Sequence, residues 1–152
     1  MIALLQRVTS ASVEVDDRRV ASIDAGLLVL LGVEPDDTEA SAEVLLSRLI
    51  RYRIFSDTVG RMNLSLLDTS GDLLLVPQFT LAADTKKGLR PGFSTAASPA
   101  EGERLFDIMV RHARQLPLRV GVGEFGADMK VALINDGPAT FWLQEPSRRR
   151  AS

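Results

Sequence analysis

The sequence contains no cysteine and only one histidine among its 152 residues. The protein therefore has no disulfide, no thiolate nucleophile and no cysteine-ligated zinc, which fits a reducing cytoplasm. A lone histidine also argues against serine–histidine and cysteine–histidine catalysis and against a conventional zinc site. His112 lies beside the apolar stripe of a predicted helix, where a structural role is favoured. A carboxylate-only magnesium site stays open, but no acidic spacing is diagnostic, and we predict no metal and no cofactor.

Long hydrophobic runs are also missing. The longest, at 27–31, is far shorter than the roughly 20 residues that a membrane-spanning helix requires. No basic segment followed by a long apolar stretch marks a signal peptide at the start. We therefore expect no contact with a membrane and a cytoplasmic location.

An excess of positive charge is absent as well. The net charge of −2 argues against indiscriminate binding to nucleic acid. Local basic patches remain at Lys86, Lys87 and Arg90 and in the tail at 148–150. On composition alone, the first is equally a solvated loop and the second a frayed terminus.

Glycine-rich phosphate loops are not supported either. The segment 121–126 has three glycines in the G-x-G-x-x-G spacing, but no helix pattern follows it, as a phosphate-binding loop of this kind requires. It is better interpreted as a turn between strands, so nucleotide hydrolysis has no support.

The apolar patterns predict two amphipathic helices and roughly eight strands. One helix is opened by 35–39, and the other begins at a predicted capping box, 98–101. The strands are predicted at 2–15, 20–23, 26–33, 54–55, 62–67, 73–76, 118–122, 129–134 and 140–143. Residues 82–97 form the longest predicted loop. Together these elements predict a single α+β domain, 1–144, with a mainly antiparallel sheet and a disordered polar tail, 145–152.

Two polar segments directly follow apolar strands. Residues 77–81 follow the strand 73–76, and residues 135–140 follow the strand 129–134. A Gly-Pro pair there constrains the backbone and leaves carbonyls without a strand partner, which suits a ligand-facing edge. Thr80, beside Gln78, is the one hydroxyl in a suggestive place, although a capping or surface threonine is the alternative. Such a site can hydrolyse an already activated bond by orientation and backbone dipoles.

These segments carry a family resemblance. Gln78-Phe79-Thr80-Leu81, followed by Ala82-Ala83-Asp84-Thr85, and Asn135-Asp136-Gly137-Pro138-x-Thr140 resemble the motifs of the D-aminoacyl-tRNA deacylases. The likeness extends through 1–8, 26–33, 52–62, 90–93 and 141–143, and so covers nearly the whole chain up to about residue 144. Two motifs in the right order and at the right distance are far more specific than either alone.

The resemblance implies a fold, an activity and an assembly. Members are cytoplasmic homodimers with a barrel-like β core that hydrolyse the ester between a D-amino acid and the terminal adenosine of tRNA. They also act on glycine attached to the wrong tRNA. The Gly137–Pro138 bond would be cis and would reach into the active site of the partner subunit. Only about 5–6% of X–Pro bonds are cis in folded proteins, so this expectation comes from the resemblance.

The matching positions receive roles from the resemblance. Gln78 and Thr80 would be catalytic, and Phe79 would line the adenosine end of the site. Gly137 and Pro138 would reject L-amino acids by leaving no space for their side chains. The remaining predicted site residues are Arg7, to pin the Gly-Pro loop, Met129, to line the pocket, and Lys86, Lys87 and Arg90, to meet tRNA phosphates. For Arg7 a surface ion pair is the alternative, and for Met129 a core position.

The sequence departs from the usual family pattern at two positions. Pro77 stands where serine is common, and Ala139 stands where valine is common. Either change could relax chiral discrimination. One alternative is therefore a deacylase with relaxed chiral specificity. A second alternative, of a different class, is a non-catalytic dimeric nucleic-acid-binding module on the same fold. A third alternative is an interaction domain that uses the loop 82–97.

Overall fold

The computed structural model describes residues 1–145 of the chain. Within this range eight strands and three α-helices form a mixed α+β fold, which confirms the predicted fold class. The strands are β1 (Ile2–Val15), β2 (Arg18–Ile23), β3 (Gly26–Gly32), β4 (Phe55–Ser56), β5 (Met62–Leu64), β6 (Asp72–Pro77), β7 (Val120–Val122) and β8 (Lys130–Gln144). The helices are α1 (Glu39–Arg51), α2 (Leu66–Thr69) and α3 (Pro99–Ala113), and a 3₁₀ helix, Phe79–Ala82, follows β6.

Strand β1 organises the sheet. Its first half pairs with β3, its second half pairs with β2, and β8 pairs along nearly its whole length, all antiparallel. The predicted hairpin between β1 and β2 is confirmed. Its two turn residues, Asp16 and Asp17, have φ of 50° and 61°, as a two-residue turn matched to the twist of the strands requires.

The sheet curls into a nearly closed barrel. Strands β3, β6 and β7 run parallel to one another, and β7 then approaches β2 from the other side. A Cβ placed on Gly121 of β7 would lie 3.5 Å from side-chain atoms of Ala21 and Ile23 in β2. The backbone of β7 at Gly121 therefore lies against side chains of β2, although the two strands do not pair.

Two hydrophobic clusters fill the two sides of the sheet. Leu27 and Leu73 belong to the cluster that includes α1 and α3. Their neighbours Leu28 and Leu74 face the other cluster, inside the barrel. The prediction that the third strand is buried on both faces is thus confirmed.

The first helix begins later than its sequence indicated. Thr38 caps it and Glu39 is its first residue, so Asp37 lies outside the helix. Asp37 is buried instead, where its carboxylate accepts a 2.6 Å hydrogen bond from the α-ammonium of Met1. Burial raises the pKa of Asp37 above its ordinary value, although the bond from the ammonium opposes this shift.

Two other local predictions were partly wrong. The predicted strand 62–67 ends at Leu64, because Ser65 caps the short helix α2 in a capping box. At the start of α3, the hydroxyl of Ser98 accepts from the N–H of Glu101 as predicted. The other half of that box is replaced by an ion pair, since the Glu101 carboxylate accepts from Arg104.

The end of the described chain is tied to its beginning. The predicted strands 129–134 and 140–143 are parts of one long strand, β8. Glu145 continues from it, and its N–H donates to the carbonyl of Met1. The rest of the predicted tail lies outside the described residues. Within residues 1–145, no helix is long and apolar enough to cross a membrane.

Candidate active site

Strand β6 ends at Pro77, next to the first motif. The N–H of Leu73 donates toward β7, and the N–H of Gln78 donates to Leu31 in β3. Since N–H directions alternate along a strand, residue 77 faces the β7 side, where β7 has already ended. The absence of an N–H at Pro77 therefore removes no hydrogen bond from the sheet, because the pairing of β6 with β7 has already ended there.

The chain after Pro77 turns at once into the 3₁₀ helix. Gly32 makes this possible, because a Cβ there would lie only 3.0 Å from the Cβ of Leu81. The side-chain amide of Gln78 donates a 2.7 Å hydrogen bond to the hydroxyl oxygen of Thr80. This bond occupies an acceptor site of the hydroxyl and leaves its proton available for donation. Gln78 is half-buried and Thr80 is exposed.

An aromatic pair stands beside this hydroxyl. The rings of Phe79 and Phe93 have centroids 5.1 Å apart, and both side chains are exposed. Phe93 belongs to the long loop that the sequence predicted. That loop is fastened at its far end, where the hydroxyl of Thr95 donates to the carbonyl of Ala82 at 2.6 Å.

Met129 lies close to the same end of β6. Its sulfur accepts a 3.3 Å hydrogen bond from the N–H of Glu124. A Cβ placed on Gly123 would lie 3.0 Å from that sulfur and 3.3 Å from Cδ of Pro77. Met129 is partly buried and packs against the cluster inside the barrel, so it connects the core with the wall next to Pro77.

The second motif forms a loop extruded from β8. Gln6 pairs with Thr140, and Val8 pairs with Asn135. Opposite the single residue Arg7, β8 therefore carries four residues, 136–139. The Gly137–Pro138 bond in this loop is cis. Both residues are exposed, whereas Ala139 is buried.

The side chain of Asn135 closes the base of the loop. Its amide nitrogen donates to the carbonyls of Arg7 and Ala139, at 2.9 and 3.0 Å. Its amide oxygen accepts from the N–H of Ala139 at 3.1 Å. One side chain thus satisfies three backbone groups that the bulge removes from the strand ladder.

The guanidinium of Arg7 holds the loop from the side. Its Nε donates to the carbonyl of Asp136 at 2.9 Å, and one terminal nitrogen donates to the carbonyl of Ile54 at 2.7 Å. A Cβ on Gly137 would lie 2.9 Å from the other terminal nitrogen, and the φ of Gly137 is 138°. Only glycine meets both conditions without strain.

The two motifs lie apart within one chain. The Gly-Pro loop belongs to β8, and β1 and β3 lie between β8 and β6. The loop and the end of β6 are therefore three strand spacings apart across the sheet and four residues apart along the strands. These separations combine to about 20 Å along the sheet. Within residues 1–145, no hydrogen bond or ion pair joins 135–140 to 77–81.

The other predicted residues lie at the surface. Lys86, Lys87 and Arg90 are all exposed in the loop after the 3₁₀ helix. Across the described part of the chain, no group of three acidic or histidine side chains is placed to hold a metal ion. His112 lies on α3 and pairs with Glu43 of α1 at 3.3 Å, a contact between helices.

The sequence interpretation missed three residues that shape the site. Asn135 was part of the quoted motif, but no role was given to its side chain. An Asn at the start of a turn commonly bonds to the backbone beyond it, and that signal could have identified it. The contributions of Ile54, through its carbonyl, and of Phe93, through its ring, depend on tertiary packing and have no local signal.

Removing the side chain of Asn135 should loosen the loop. Asn135→Ala leaves three backbone groups without their partner, which we expect to lower the free energy of unfolding by about 1–3 kcal/mol. Denaturant titration measures this loss, and hydrogen exchange should be faster at residue 139. Asn63→Ala is the matched control, because within residues 1–145 the amide of Asn63 bonds to the carboxylate of the half-buried Asp57 and to no backbone group. Equal stability of the two variants would contradict the role of Asn135.

The chain is similar to known proteins over nearly its whole length. The family model described as D-Tyr-tRNA(Tyr) deacylase matches residues 4–144. The D-aminoacyl-tRNA deacylase of Pseudomonas fluorescens strain Pf0-1 is 63% identical over 144 residues, which are 95% of this chain and 99% of that protein. The protein of the same name from Thioalkalivibrio sulfidiphilus is 57% identical and covers 98% of this chain and 100% of its own.

Solved structures share the fold. A structure described as c-Myc DNA Unwinding Element Binding Protein has a TM-score of 0.92 and 35% identity, covering 97% of this chain and 100% of that one. A probable eukaryotic D-amino acid tRNA deacylase has a TM-score of 0.79 and 20% identity, covering 93% and 98%, and this likeness supports the fold alone. Because the family model matches residues 4–144 and these relatives are 57–63% identical over nearly the whole chain, the chain belongs to the D-aminoacyl-tRNA deacylase family.

Proposed function

We propose that the protein hydrolyses the ester of D-aminoacyl-tRNA in the cytoplasm, releasing the D-amino acid and tRNA with a free 3′ end. The observation that supports this most is the loop 136–139. A hydrolase that acted by a side-chain nucleophile would not need a rigid, exposed stretch of backbone. In this protein, Asn135 and Arg7 hold the loop by hydrogen bonds, and Gly137 and Pro138 are exposed at its tip.

The reaction needs little from the protein's side chains. The adjacent ribose hydroxyl activates an aminoacyl ester, so a positioned water molecule can attack the acyl carbon. The ester C–O bond then breaks, and the ribose oxygen takes up the proton that the water loses. The hydroxyl of Thr80 accepts a hydrogen bond from Gln78 and can donate one to an oxygen of the ester or of the adenosine. A donor aimed at charge that develops in the transition state contributes about 3 kcal/mol.

The clamped loop supplies chiral selection. Backbone carbonyls can bind the amino group of the substrate, while the rigid Gly-Pro unit leaves no space on the L side. Selection against L-amino acids then depends on steric exclusion. Glycine has no side chain to exclude, so glycyl-tRNA should also be cleaved.

The site is proposed to form between two copies of the chain. A loop of four residues extends no more than about 7 Å from its strand, whereas its own Gln78–Thr80 segment lies about 20 Å away along the sheet. Strand β8 pairs only with β1 among the described strands, and it exposes Ile134 (61%) and Trp142 (52%). An open strand edge with exposed apolar residues favours a symmetric homodimer.

A second candidate is a nucleic-acid-binding module without catalysis. The solved structure described as a DNA-unwinding-element-binding protein favours it, because that protein is 35% identical over nearly the whole chain. This candidate requires only the basic surface. A binding module without catalysis would not need the hydrogen bond between Gln78 and Thr80 or the fixed Gly-Pro loop.

Cleavage of matched substrates separates the two candidates. D-Tyr-tRNA and L-Tyr-tRNA are incubated with the protein, and the ester that remains is measured over time. We expect rapid loss of the D-ester and persistence of the L-ester. Persistence of both at micromolar protein would rule out the deacylase, and equal loss of both would show that the chiral filter has been lost.

A further inference from the structure

The loop after the 3₁₀ helix is pre-ordered. Asp84 and Gly92 exchange backbone hydrogen bonds of 2.7 and 2.9 Å. The Asp84 carboxylate also accepts from the N–H of Lys86 at 3.0 Å. Further along, the N–H of Ala97 donates to the carbonyl of Val33. We name residues 84–92 the bracket; its ends are tied together and its tip projects into solvent.

The tip of the bracket exposes an apolar side chain completely. Leu89 is 103% exposed and follows Gly88, whose φ of 71° turns the chain there. A single exposed leucine is ordinary on a protein surface. This one is unusual because the backbone that carries it is fastened and three basic residues, Lys86, Lys87 and Arg90, flank it.

The charge around Leu89 selects the kind of partner. Lys86, Lys87 and Arg90 make no ion pair within residues 1–145, although the whole chain carries a net charge of −2. Exposed aromatic rings stand beside the bracket, at Phe79 (58%) and Phe93 (46%). Cations interleaved with apolar and aromatic side chains fit RNA, where phosphates meet the cations and bases pack on the apolar groups.

We propose that Leu89 packs against the exposed face of the terminal base pair of the tRNA acceptor helix. This rests on the proposed function, since the substrate's unpaired 3′ end must enter the site at Gln78–Thr80. Because the bracket begins at Asp84, shortly after that segment, we place the helix from which that end departs against the bracket. There Leu89 caps the last base pair, while the three cations hold the phosphates on both sides. Leu89 is thus a positioning residue that aligns the ester through the duplex.

The test compares a substrate that has the duplex with one that lacks it. We measure kcat and KM for D-Tyr-tRNA and for D-tyrosyl adenosine, which carries the same ester without RNA. Leu89→Ala should lower the ratio of kcat/KM for tRNA to that for the adenosine ester about tenfold, through KM. Leu89→Asp should lower the ratio further, because it places a negative charge among phosphates. Val44→Ala, at a half-exposed valine on α1, should leave the ratio at the wild-type value.

Salt dependence distinguishes base packing from phosphate binding. The dependence of KM on salt should be unchanged in Leu89→Ala and shallower in Lys86→Gln, since only charges release counterions. An unchanged tRNA-to-adenosine ratio in both Leu89 variants would overturn the proposal, and so would an equal loss on both substrates. Failure of the wild-type protein to cleave D-Tyr-tRNA would instead refute the proposed function itself.

Discussion

Arg7→Ala should lower kcat/KM for D-Tyr-tRNA about 100-fold, because a displacement of roughly 1 Å at a positioning element costs that much. The Arg7 side chain is only 12% exposed and bonds to the carbonyls of Asp136 and Ile54. Its loss leaves both carbonyls without their donor and frees the side of the Gly137–Pro138 loop. The preference for the D-ester over the L-ester should fall with the rate, since the same backbone binds the amino group and excludes the L side chain.

Two further arginine variants make this result specific. Arg7→Lys keeps the charge but cannot donate in two directions at once, so its activity and its D/L ratio should fall between those of the wild type and Arg7→Ala. Arg111→Ala, at an exposed position on α3, should change neither. A thermal unfolding curve for each variant separates misplacement of the loop from unfolding. Wild-type chiral preference in a folded Arg7→Ala protein would show that the bonds from Arg7 do not position the loop for chiral selection.

Thr80→Val should lower kcat about 100-fold, the typical cost of removing one donor from a developing oxyanion. Valine matches the shape of threonine, so the 3₁₀ helix should persist while the hydroxyl is lost. The side-chain amide of Gln78 loses its acceptor at the same time. Single-turnover kinetics measure the chemical step without the contribution of product release.

The matched variants separate chemistry from positioning. Thr80→Ser restores the hydroxyl and should recover activity to within about tenfold of the wild type. Thr58→Val alters an exposed threonine in the turn between β4 and β5, outside the candidate site, and should have no effect. If Thr80→Val raised KM alone and left kcat unchanged, the hydroxyl would only position the substrate. The tRNA 2′-hydroxyl would then have to assist the chemistry.

Much of the fold could be predicted because its signals are local. The hairpin of β1 and β2 follows from alternation around an Asp-Asp turn, and the strand β3 follows from a continuous apolar run. The predicted start of α1 was wrong, because the carboxylate of Asp37 binds the buried α-ammonium of Met1 instead of lying in the first turn of the helix. That contact joins distant parts of the chain and leaves no local pattern.

The candidate site divides in the same way. Gln78 and Thr80 are two residues apart, so a contact between them could be expected from sequence. The clamp on the loop could not be derived in full, because it joins Arg7, Asn135 and Ile54 from three distant parts of the chain. Pro77 also has a structural explanation in the fold, since β7 has ended where its N–H would point. Its effect on specificity stays a prediction.

In the proposed dimer, each site takes Thr80 from one chain and the Gly-Pro loop from the other. Heterodimers of Arg7→Ala and Thr80→Val chains test it most directly, when the two chains are co-expressed with different tags and purified through both. In a symmetric dimer one of the two sites is then intact and the other carries both defects. We predict about half of the wild-type activity per dimer, with full D preference. A heterodimer as inactive as its two parent variants would show that each chain completes its own site, and would contradict this account.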